Sequence, residues 1–254
     1  MSKTGGVSAI RKFNRFELKY LLSHEEALRF QEDLKKYVKP DEYGNGKGMY
    51  VLSSLYYDTH DYRFYREKLD GIRYRRKLRI RCYEKQQPLL DDSVVFVEIK
   101  QRVNRVTQKR RAPMTYKEAL DLCNEGIVPK HEAKDSLVVY EIYEMVKQYD
   151  LKPTCITSYF RHAFFGTDYD AGLRITFDSN IRYRTQNLDL ADKEIGSYMI
   201  SPDKVIMEVK VNERVPYRVT ELIAHYNFRL IRVSKYCQGL EVGVLVPTPV
   251  YTII

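Results

Sequence analysis

A run of basic side chains at alternate positions is the strongest chemical signal in this sequence. Between residues 71 and 83 the odd positions carry Arg73, Arg75, Lys77, Arg79 and Arg81. The even positions are largely apolar, with one arginine as the exception. Side chains two apart on a strand share a face, so the pattern predicts a strand with one cationic and one apolar face. Charges about 7 Å apart repel one another, so we expect either a compensating anion or an exposed face screened by salt.

Three other segments place a carboxylate two residues before a lysine, within apolar surroundings. The pairs are Glu17 and Lys19, Glu98 and Lys100, and Glu208 and Lys210. Each predicted strand therefore turns apolar side chains one way and an ion pair the other. If these strands close into a barrel, the charges either lie outside or line a tunnel that helices cover from outside. A charged tunnel is costly without a ligand, and a polyanion with a divalent cation would compensate for it.

Composition limits the classes of protein that this chain can be. It has 254 residues with 43 Lys and Arg against 34 Asp and Glu, and a net charge of +9 favours an anionic partner. Its four cysteines form no C-x-x-C pair, which predicts reduced structural thiols rather than a disulfide framework or a zinc site. Neither a secretory leader nor an apolar run of about 20 residues is visible, so we expect a cytoplasmic protein without a membrane span.

The hydrophobic periodicity and the turn signals place the elements that must position these charges. Strands are predicted near residues 11–20, 49–58, 71–83, 94–102, 105–112, 155–165, 172–184, 204–212 and 228–233. Capping boxes at Ser23 with Glu26 and at Thr115 with Glu118 begin two helices, the first ending near Pro40. Two more helices are predicted over 134–149 and after Pro216, whereas residues 62–65 are interpreted as a polar linker.

These elements predict an α+β fold with a mainly antiparallel sheet, because strict alternation of strands and helices is absent. We expect a closed antiparallel barrel of about eight strands with helices packed outside. No linker divides the chain. The predicted organisation is therefore a flexible tail over residues 1–10 and a single domain over residues 11–254.

The ordered motifs resemble the VTC domain, the polyphosphate-polymerase branch of the triphosphate tunnel (CYTH-like) superfamily. The matching segments, in family order, lie at residues 15–20, 54–58, 77–81, 97–100, 159–164, 172–178, 206–210 and 232–236. The resemblance implies a tunnel of antiparallel strands that binds a nucleoside triphosphate and a growing polyphosphate chain. Arg15 stands where triphosphatase members have the first carboxylate of Glu-x-Glu-x-Lys, which favours the polymerase branch over hydrolysis.

The same resemblance implies roles for individual residues. The implied catalytic residues, which would bind phosphate groups, are Lys19, Arg79, Arg81, Arg161, Arg174 and Lys235. The candidate substrate-binding residues are Arg75, Lys100, Lys210 and Arg232, the last at a position where the family is expected to have lysine. Glu208 would ligate Mn²⁺ or Mg²⁺. The segment from Lys109 to Arg111 matches too loosely to select one residue.

The implied function is metal-dependent transfer of the terminal phosphoryl group of ATP onto polyphosphate. The alternatives are a hydrolase of the same fold, which splits triphosphate or a nucleoside triphosphate, and a non-catalytic module that binds polyphosphate or RNA. Nucleic acid is the less favoured ligand, because paired carboxylates suit an exposed nucleic-acid surface poorly. Coupling of synthesis to transport would need another protein, so a membrane-protein partner stays open.

Several polar residues have a structural interpretation beside the functional one. His162 is predicted to pack on the far side of its strand, and the other histidines show no metal spacing. Asp58 and Asp178 are interpreted as turn or strand-end residues in preference to ligands. For Glu17 and Glu98, an ion pair with a cation and contact with a metal are equally favoured.

Overall fold

The computed structural model describes residues 16–42, 44–84, 88–104, 106–167, 170, 172–245 and 252–253. Its strands are β1 Phe16–Ser23, β2 Val38–Pro40, β3 Met49–Asp58, β4 Tyr74–Glu84, β5 Val94–Val103, β6 Val106–Thr115, β7 Lys152–Gly166, β8 Arg174–Arg184, β9 Ser197–Tyr198, β10 Lys204–Val211, β11 Ile231–Arg232 and β12 Thr252–Ile253. The α-helices are α1 His24–Leu34, α2 Arg63–Leu69, α3 Tyr116–Leu120, α4 Ser136–Tyr149, α5 Tyr217–His225 and α6 Lys235–Leu240. The predicted tail over residues 1–10 lies outside the described residues.

One antiparallel sheet organises the molecule. Its main path runs β1-β10-β8-β7-β3-β4-β5-β6, with β2 added to β7 and β9 to β8. Every strand pair in this sheet is antiparallel. The main path therefore contains the predicted eight strands, and the α+β class with an antiparallel sheet is confirmed.

The sheet curls strongly, but it does not close into the predicted barrel. Strands β1 and β5 are six places apart in the sheet, which would separate them by about 29 Å if the sheet were flat. Lys100 Nζ on β5 nevertheless lies 3.3 Å from Glu17 Oε2 on β1. Within the described ranges, no backbone ladder joins β1 to β6. The prediction of closure was wrong, because a side-chain contact between β1 and β5, and not a main-chain ladder between the edge strands β1 and β6, spans the gap.

Helices cover the convex face of the sheet at two separate cores. One core packs Phe30 of α1 and Val219 of α5 against apolar side chains of β8 and β10. The other packs Ile142 of α4 and Ala119 of α3 against those of β4 and β5. The alternating apolar residues thus face outward onto helices, and the charged residues face the concave side. Of the two arrangements that the sequence allowed, the structure has the one with charges inside.

Local signals account for where several helices begin. Ser23 accepts a hydrogen bond from the backbone of Glu26, whose carboxylate accepts one in return, and the same reciprocal pair opens α3 at Thr115. Among the described residues, none of the helices combines the length and apolarity needed to cross a bilayer.

Three predicted elements were wrong. Helix α1 ends at Leu34 instead of near Pro40, because the chain then adds the short strand β2 to β7. The predicted linker over residues 62–65 instead leads from Tyr62 into helix α2, whose first turn donates backbone hydrogen bonds to the buried Asp58 carboxylate. The predicted strand over 228–233 contains only the two-residue strand β11, and helix α6 follows it.

Candidate functional site

Glu208 lies at the centre of the concave face, on strand β10 between β1 and β8. Its carboxylate lies 3.2 Å from Lys19 Nζ, 2.6 Å from Lys210 Nζ, 3.3 Å from Lys235 Nζ and 3.6 Å from Arg161 Nη2. Burial alone would raise the pKa of Glu208, but these cations hold that pKa well below its ordinary value. Glu208 is therefore ionised and shared by four cations from four different elements.

Asp178 forms a second carboxylate centre beside Glu208, on strand β8. It is fully buried and accepts two hydrogen bonds from Arg161, at 2.6 Å and 2.7 Å, and one from Lys235 at 2.6 Å. The sequence interpretation of Asp178 as a strand-end residue was wrong, because it lies mid-strand among the charges. The signal was available, since Asp178, Thr176 and Arg174 alternate on one face of β8.

Glu98 on β5 forms a third centre, further round the curl. Its fully buried carboxylate lies 2.6 Å from Arg79 Nη2, 3.1 Å from Lys109 Nζ and 3.9 Å from Arg81 Nη1. Burial lowers the pKa of Lys109 to about 8 even though Glu98 opposes the shift. In the loosely matched segment, the structure selects Lys109 for this contact, whereas Arg110 pairs with Glu141 on the convex side.

Glu17 links the Glu208 centre on β10 to strand β5 across the gap in the curled sheet. Its carboxylate lies 3.0 Å from Lys19 Nζ and 3.3 Å from Lys100 Nζ. Lys19 contacts Glu208 as well and donates to the carbonyl of Val233, so its ammonium lies between two carboxylates. For Glu17 and Glu98 the sequence left two interpretations open, and the structure has both carboxylates in ion pairs.

Cations outnumber carboxylates in these two sets of ion pairs, which together form the charged network of the concave face. The four carboxylates belong to Glu17, Glu98, Asp178 and Glu208. The eight cations in contact with them are Lys19, Arg79, Arg81, Lys100, Lys109, Arg161, Lys210 and Lys235. Most of these cations are largely buried, so solvent screens their excess charge less than it screens surface charge. The arrangement fits a ligand with several negative charges.

The structure does not bring every predicted site residue into this network. Arg174 lies on the same face of β8, but its guanidinium bonds to Asp41 at 2.9 Å and to the Tyr50 hydroxyl at 2.8 Å. Arg75 donates to the carbonyl of Lys68 in α2, and burial lowers its pKa. Arg232 is exposed on β11 and forms no ion pair with the described residues. Arg174 on β8 and Arg75 on β4 therefore lie on strand faces that the network uses, but neither contacts one of its carboxylates.

Hydroxyl groups that sequence reasoning missed surround the arginines. Arg79 Nη1 donates to the Tyr56 hydroxyl at 2.9 Å, while Arg81 donates to Ser54 at 3.1 Å and to Tyr159 at 3.2 Å. Burial would raise the pKa of Tyr56, but the guanidinium groups of Arg79 and Arg81 lower it to about 8. Ser54 and Tyr56 stand two apart on β3, so alternation on that strand could have identified them.

The donor set suits a divalent metal only when substrate phosphates complete the coordination. Glu208 and Glu17 are the two carboxylates that Lys19 joins. The described residues contain no group of three His, Cys, Asp or Glu side chains arranged to hold a metal ion. Mg²⁺ is commonly held by one or two carboxylates together with phosphate oxygens and water, and this donor set fits that pattern.

The histidines and cysteines have structural surroundings. His162 is half-buried on the convex side, where its Nδ1 lies 2.6 Å from Gln31 Oε1 and its ring packs on Phe164, as predicted. All four cysteines are buried and free, which agrees with the prediction of structural thiols.

Solved structures of low sequence identity resemble this chain. A candidate adenylate cyclase from Bacillus halodurans is 15% identical with a TM-score of 0.48, over 87% of this chain and 95% of that one. A candidate adenylyl cyclase from Hippeastrum, described as having a dominant triphosphatase activity, is 12% identical with a TM-score of 0.48, over 91% of this chain and 96% of that one. Both TM-scores are too low for either likeness to support an inference about this chain.

Curated relatives match over most of this sequence. Vacuolar transporter chaperone complex subunit 4 of Trypanosoma brucei brucei is 26% identical over 223 residues, and that of Trypanosoma cruzi is 25% identical over 223 residues. The matches cover 74% of this chain but only 28% of each relative, so the chain spans well under half of their length.

The family model supports the same assignment over a longer stretch. The VTC domain model matches residues 14–244, which include every strand of the main sheet and every residue of the charged network. The chain belongs to the VTC domain family.

Proposed function

We propose that this chain is a metal-dependent polyphosphate polymerase, which transfers the terminal phosphoryl group of ATP onto a polyphosphate chain on the concave face of its sheet. The observation that carries the proposal is the network of eight cations around four carboxylates, three of which are buried. A polyphosphate chain and a nucleoside triphosphate both supply the several negative charges that this network lacks. The curated relatives are named as subunits of a vacuolar transporter chaperone complex, and we take this name as further support for the proposal.

The cations have distinct tasks in this mechanism. Phosphoryl transfer depends on in-line placement and on neutralising charge at the equatorial and leaving oxygens. Arg79, Arg81 and Arg161 present planar forks of donors that match phosphate oxygens. Lys19 and Lys235 are compact charges beside Glu208, and each can exchange a carboxylate oxygen for a phosphate oxygen. The acceptor is a terminal phosphate that is already ionised, so the mechanism assigns no histidine as general base.

Glu208, with Glu17 beside it, would hold Mn²⁺ or Mg²⁺ jointly with the bound phosphates. When bound, the metal supplies neutralisation of the charge that develops on the leaving diphosphate. Lys19 and Lys210 currently neutralise Glu208, and their release from it would free both ammonium groups to contact phosphate. Arg174 extends the basic face beyond Lys210, its register partner on β10. It is therefore assigned to bind chain phosphates that are further from the transfer step.

The reaction products formed from ATP distinguish this function from its alternatives. The purified chain is incubated with ATP, Mn²⁺ and a short polyphosphate primer, and polyphosphate is scored by gel and free phosphate by colour assay. A polymerase produces long polyphosphate and nucleoside diphosphate. Free phosphate alone identifies a hydrolase of the same fold. Neither product in the presence of primer rejects an enzymatic function.

Glu208→Gln tests the site, with Glu141→Gln as the matched control. Both glutamates form ion pairs, but Glu141 pairs with Arg110 on the convex side. We expect Glu208→Gln to abolish metal-dependent turnover while tripolyphosphate binding is kept or strengthened, because one negative charge leaves the network. Glu141→Gln should keep full turnover. Equal activity of the two variants would reject Glu208 as the metal ligand.

We also propose a membrane-protein partner and a cytoplasmic site of action. Relatives carry the name of a complex subunit, and the described helices include no membrane span. In fractionated native cells, the chain should sediment with membranes and be released by detergent together with another protein. Recovery of the chain alone, free of membranes, would contradict this part of the proposal.

A further inference from the structure

Helix α6 is wholly buried and lies on the concave face of the sheet. All six of its residues, from Lys235 to Leu240, are buried. Tyr236 and Cys237 pack with Tyr56 of β3 and Cys155 of β7, whereas Lys235 reaches Asp178 and Glu208 on β8 and β10. The helix therefore connects strands on two sides of the curl.

Tyr236 fixes the helix on the β3 side through two different contacts. Its ring stacks on Tyr56 with the ring centroids 5.0 Å apart and the planes inclined at 28°. Its hydroxyl donates to the carboxylate of Asp58. Burial and this carboxylate both raise the pKa of Tyr236, so the hydroxyl remains a donor. Asp58 in turn accepts the backbone N–H groups of Phe64 and Tyr65 at 2.8 Å and 3.0 Å.

The same aromatic pair touches cations of the basic strand β4. The Tyr56 hydroxyl accepts a hydrogen bond from Arg79 Nη1 at 2.9 Å. Lys77 Nζ donates to Ser234 Oγ at 2.9 Å and lies 4.8 Å from the centroid of the Tyr236 ring. One buried cluster thus contacts both Arg79, which bonds to Glu98, and the first turn of α6, which carries Lys235.

We propose that Tyr236 and Asp58 are positioning residues, which set the place of Lys235 beside Glu208 and its separation from Arg79. The inference rests on the proposed function in one respect, namely that phosphate groups bind to these cations. A fixed separation matters because a polyphosphate chain has a fixed spacing between its charges. A loose α6 would leave Lys235 present but poorly placed, and affinity for the chain would fall.

A double-mutant cycle distinguishes positioning from ordinary core packing. Tyr236→Phe removes the hydroxyl and its bond to Asp58 but keeps the stacked ring. Its effect on tripolyphosphate binding is measured by calorimetry in the unaltered chain and again in Lys235→Met. If Tyr236 acts through Lys235, we expect about a tenfold loss of affinity in the first background and less than about twofold in the second. Equal losses in both backgrounds would overturn the proposal, and so would no loss in either.

Tyr226→Phe is the matched control, because the Tyr226 hydroxyl donates to Asp33 at 2.8 Å on the convex side. It removes a tyrosine–aspartate bond of the same kind and should leave tripolyphosphate affinity unchanged. Asp58→Asn keeps an acceptor for the backbone of α2 and should reproduce the loss seen with Tyr236→Phe. A loss in Tyr226→Phe as large as that in Tyr236→Phe would show that the effect is general destabilisation, and would overturn the proposal.

The same measurements separate this proposal from the proposed function. A chain that binds tripolyphosphate but makes no polyphosphate fails as a polymerase, while the binding cycle still decides the role of Tyr236. In an active chain, Tyr236→Phe should raise the KM for primer more than it lowers kcat. An unaltered chain that does not bind tripolyphosphate would overturn both proposals.

Discussion

Ionisable side chains on the concave face differ in how far nearby opposite charges offset the effect of burial on their pKa. Lys19 contacts two carboxylates, and its pKa is raised despite burial. Lys210 contacts one, and burial lowers its pKa to about 8 although Glu208 opposes the shift. The balance between burial and the surrounding charges therefore decides which way the pKa of each ammonium moves.

Anion binding should weaken as the pH rises through about 8. The protonated lysine carries the charge, so a pKa lowered to about 8 for Lys109 and Lys210 means that both charges are lost there instead of near 10.5. Ionisation of Tyr56, with its pKa of about 8, adds a negative charge beside Arg79 in the same range. Tripolyphosphate affinity measured between about pH 6 and pH 10 tests this. Lys210→Arg should move part of the decline to higher pH, and a flat profile would contradict the assignment.

Asp178→Asn should destabilise the fold by about 3–5 kcal/mol, because it leaves Arg161 and Lys235 buried without their closest carboxylate. Denaturant unfolding measures the change. Asp121→Asn, which disrupts only an exposed pair with Lys117, should cost less than about 1 kcal/mol. Tripolyphosphate should raise the free energy of unfolding of Asp178→Asn by more than it raises that of the unaltered chain. Equal costs for the two variants would show that Asp178 does not hold the network together.

Each strand of the sheet divides its side chains between two tasks. On β10, Met207 and Val209 pack under α1 and α5, while Glu208 and Lys210 lie on the concave face. The helices of the convex face are therefore what allows charges to occupy the inside, since they bury the apolar half of every strand. Loss of a covering helix should unfold the site along with the core.

Phe30→Ala should cost about 3–5 kcal/mol of unfolding free energy, because the Phe30 ring is fully buried between α1 and the sheet. Leu28→Ala on the same helix is the control, since Leu28 is 63% exposed and its loss leaves no cavity. Chemical denaturation of both variants measures the difference. A cost for Phe30→Ala no larger than that for Leu28→Ala would contradict the packing of α1 on the sheet.

At the scale of the whole molecule, net charge and curvature act together. The chain carries a formal charge of +9, and the curl collects eight of its cations around four carboxylates. Charges gathered within a concave surface reinforce one another's field and resist screening by salt. We therefore expect the highest affinity for a ligand whose own charges extend along that surface.

Binding should therefore strengthen with the length of the phosphate chain. We expect affinity to rise from orthophosphate to diphosphate to tripolyphosphate, because each added phosphate brings further charge to the basic surface. Thermal unfolding with each ligand at constant ionic strength measures the series, and sulfate serves as the control anion. Equal stabilisation by sulfate and tripolyphosphate would indicate general charge screening and contradict a site built for a chain.

Local sequence patterns determined the faces of the strands and the starts of two helices. Alternation separates charged from apolar residues at a period of two, and a capping box needs only four residues, so both can be recognised without the fold. The antiparallel sheet, a strand number of about eight and the single cationic face of β4 followed from such patterns, whereas the side of the sheet on which that face lies was left open. The candidate site cations were instead named from the family resemblance, and their roles in phosphate binding stay a prediction.

Only the tertiary structure decided which charges meet and whether the sheet closes. Glu17 and Lys100 stand 83 positions apart in sequence, and their contact depends on the curl of six intervening strand steps. The central place of Asp178, the choice of Lys109 over its neighbours and the position of α6 inside the curl are contacts of the same long-range kind. Local periodicity gives a side chain its face, but its partner across the concave surface is set by curvature, which the packing of the whole sheet determines.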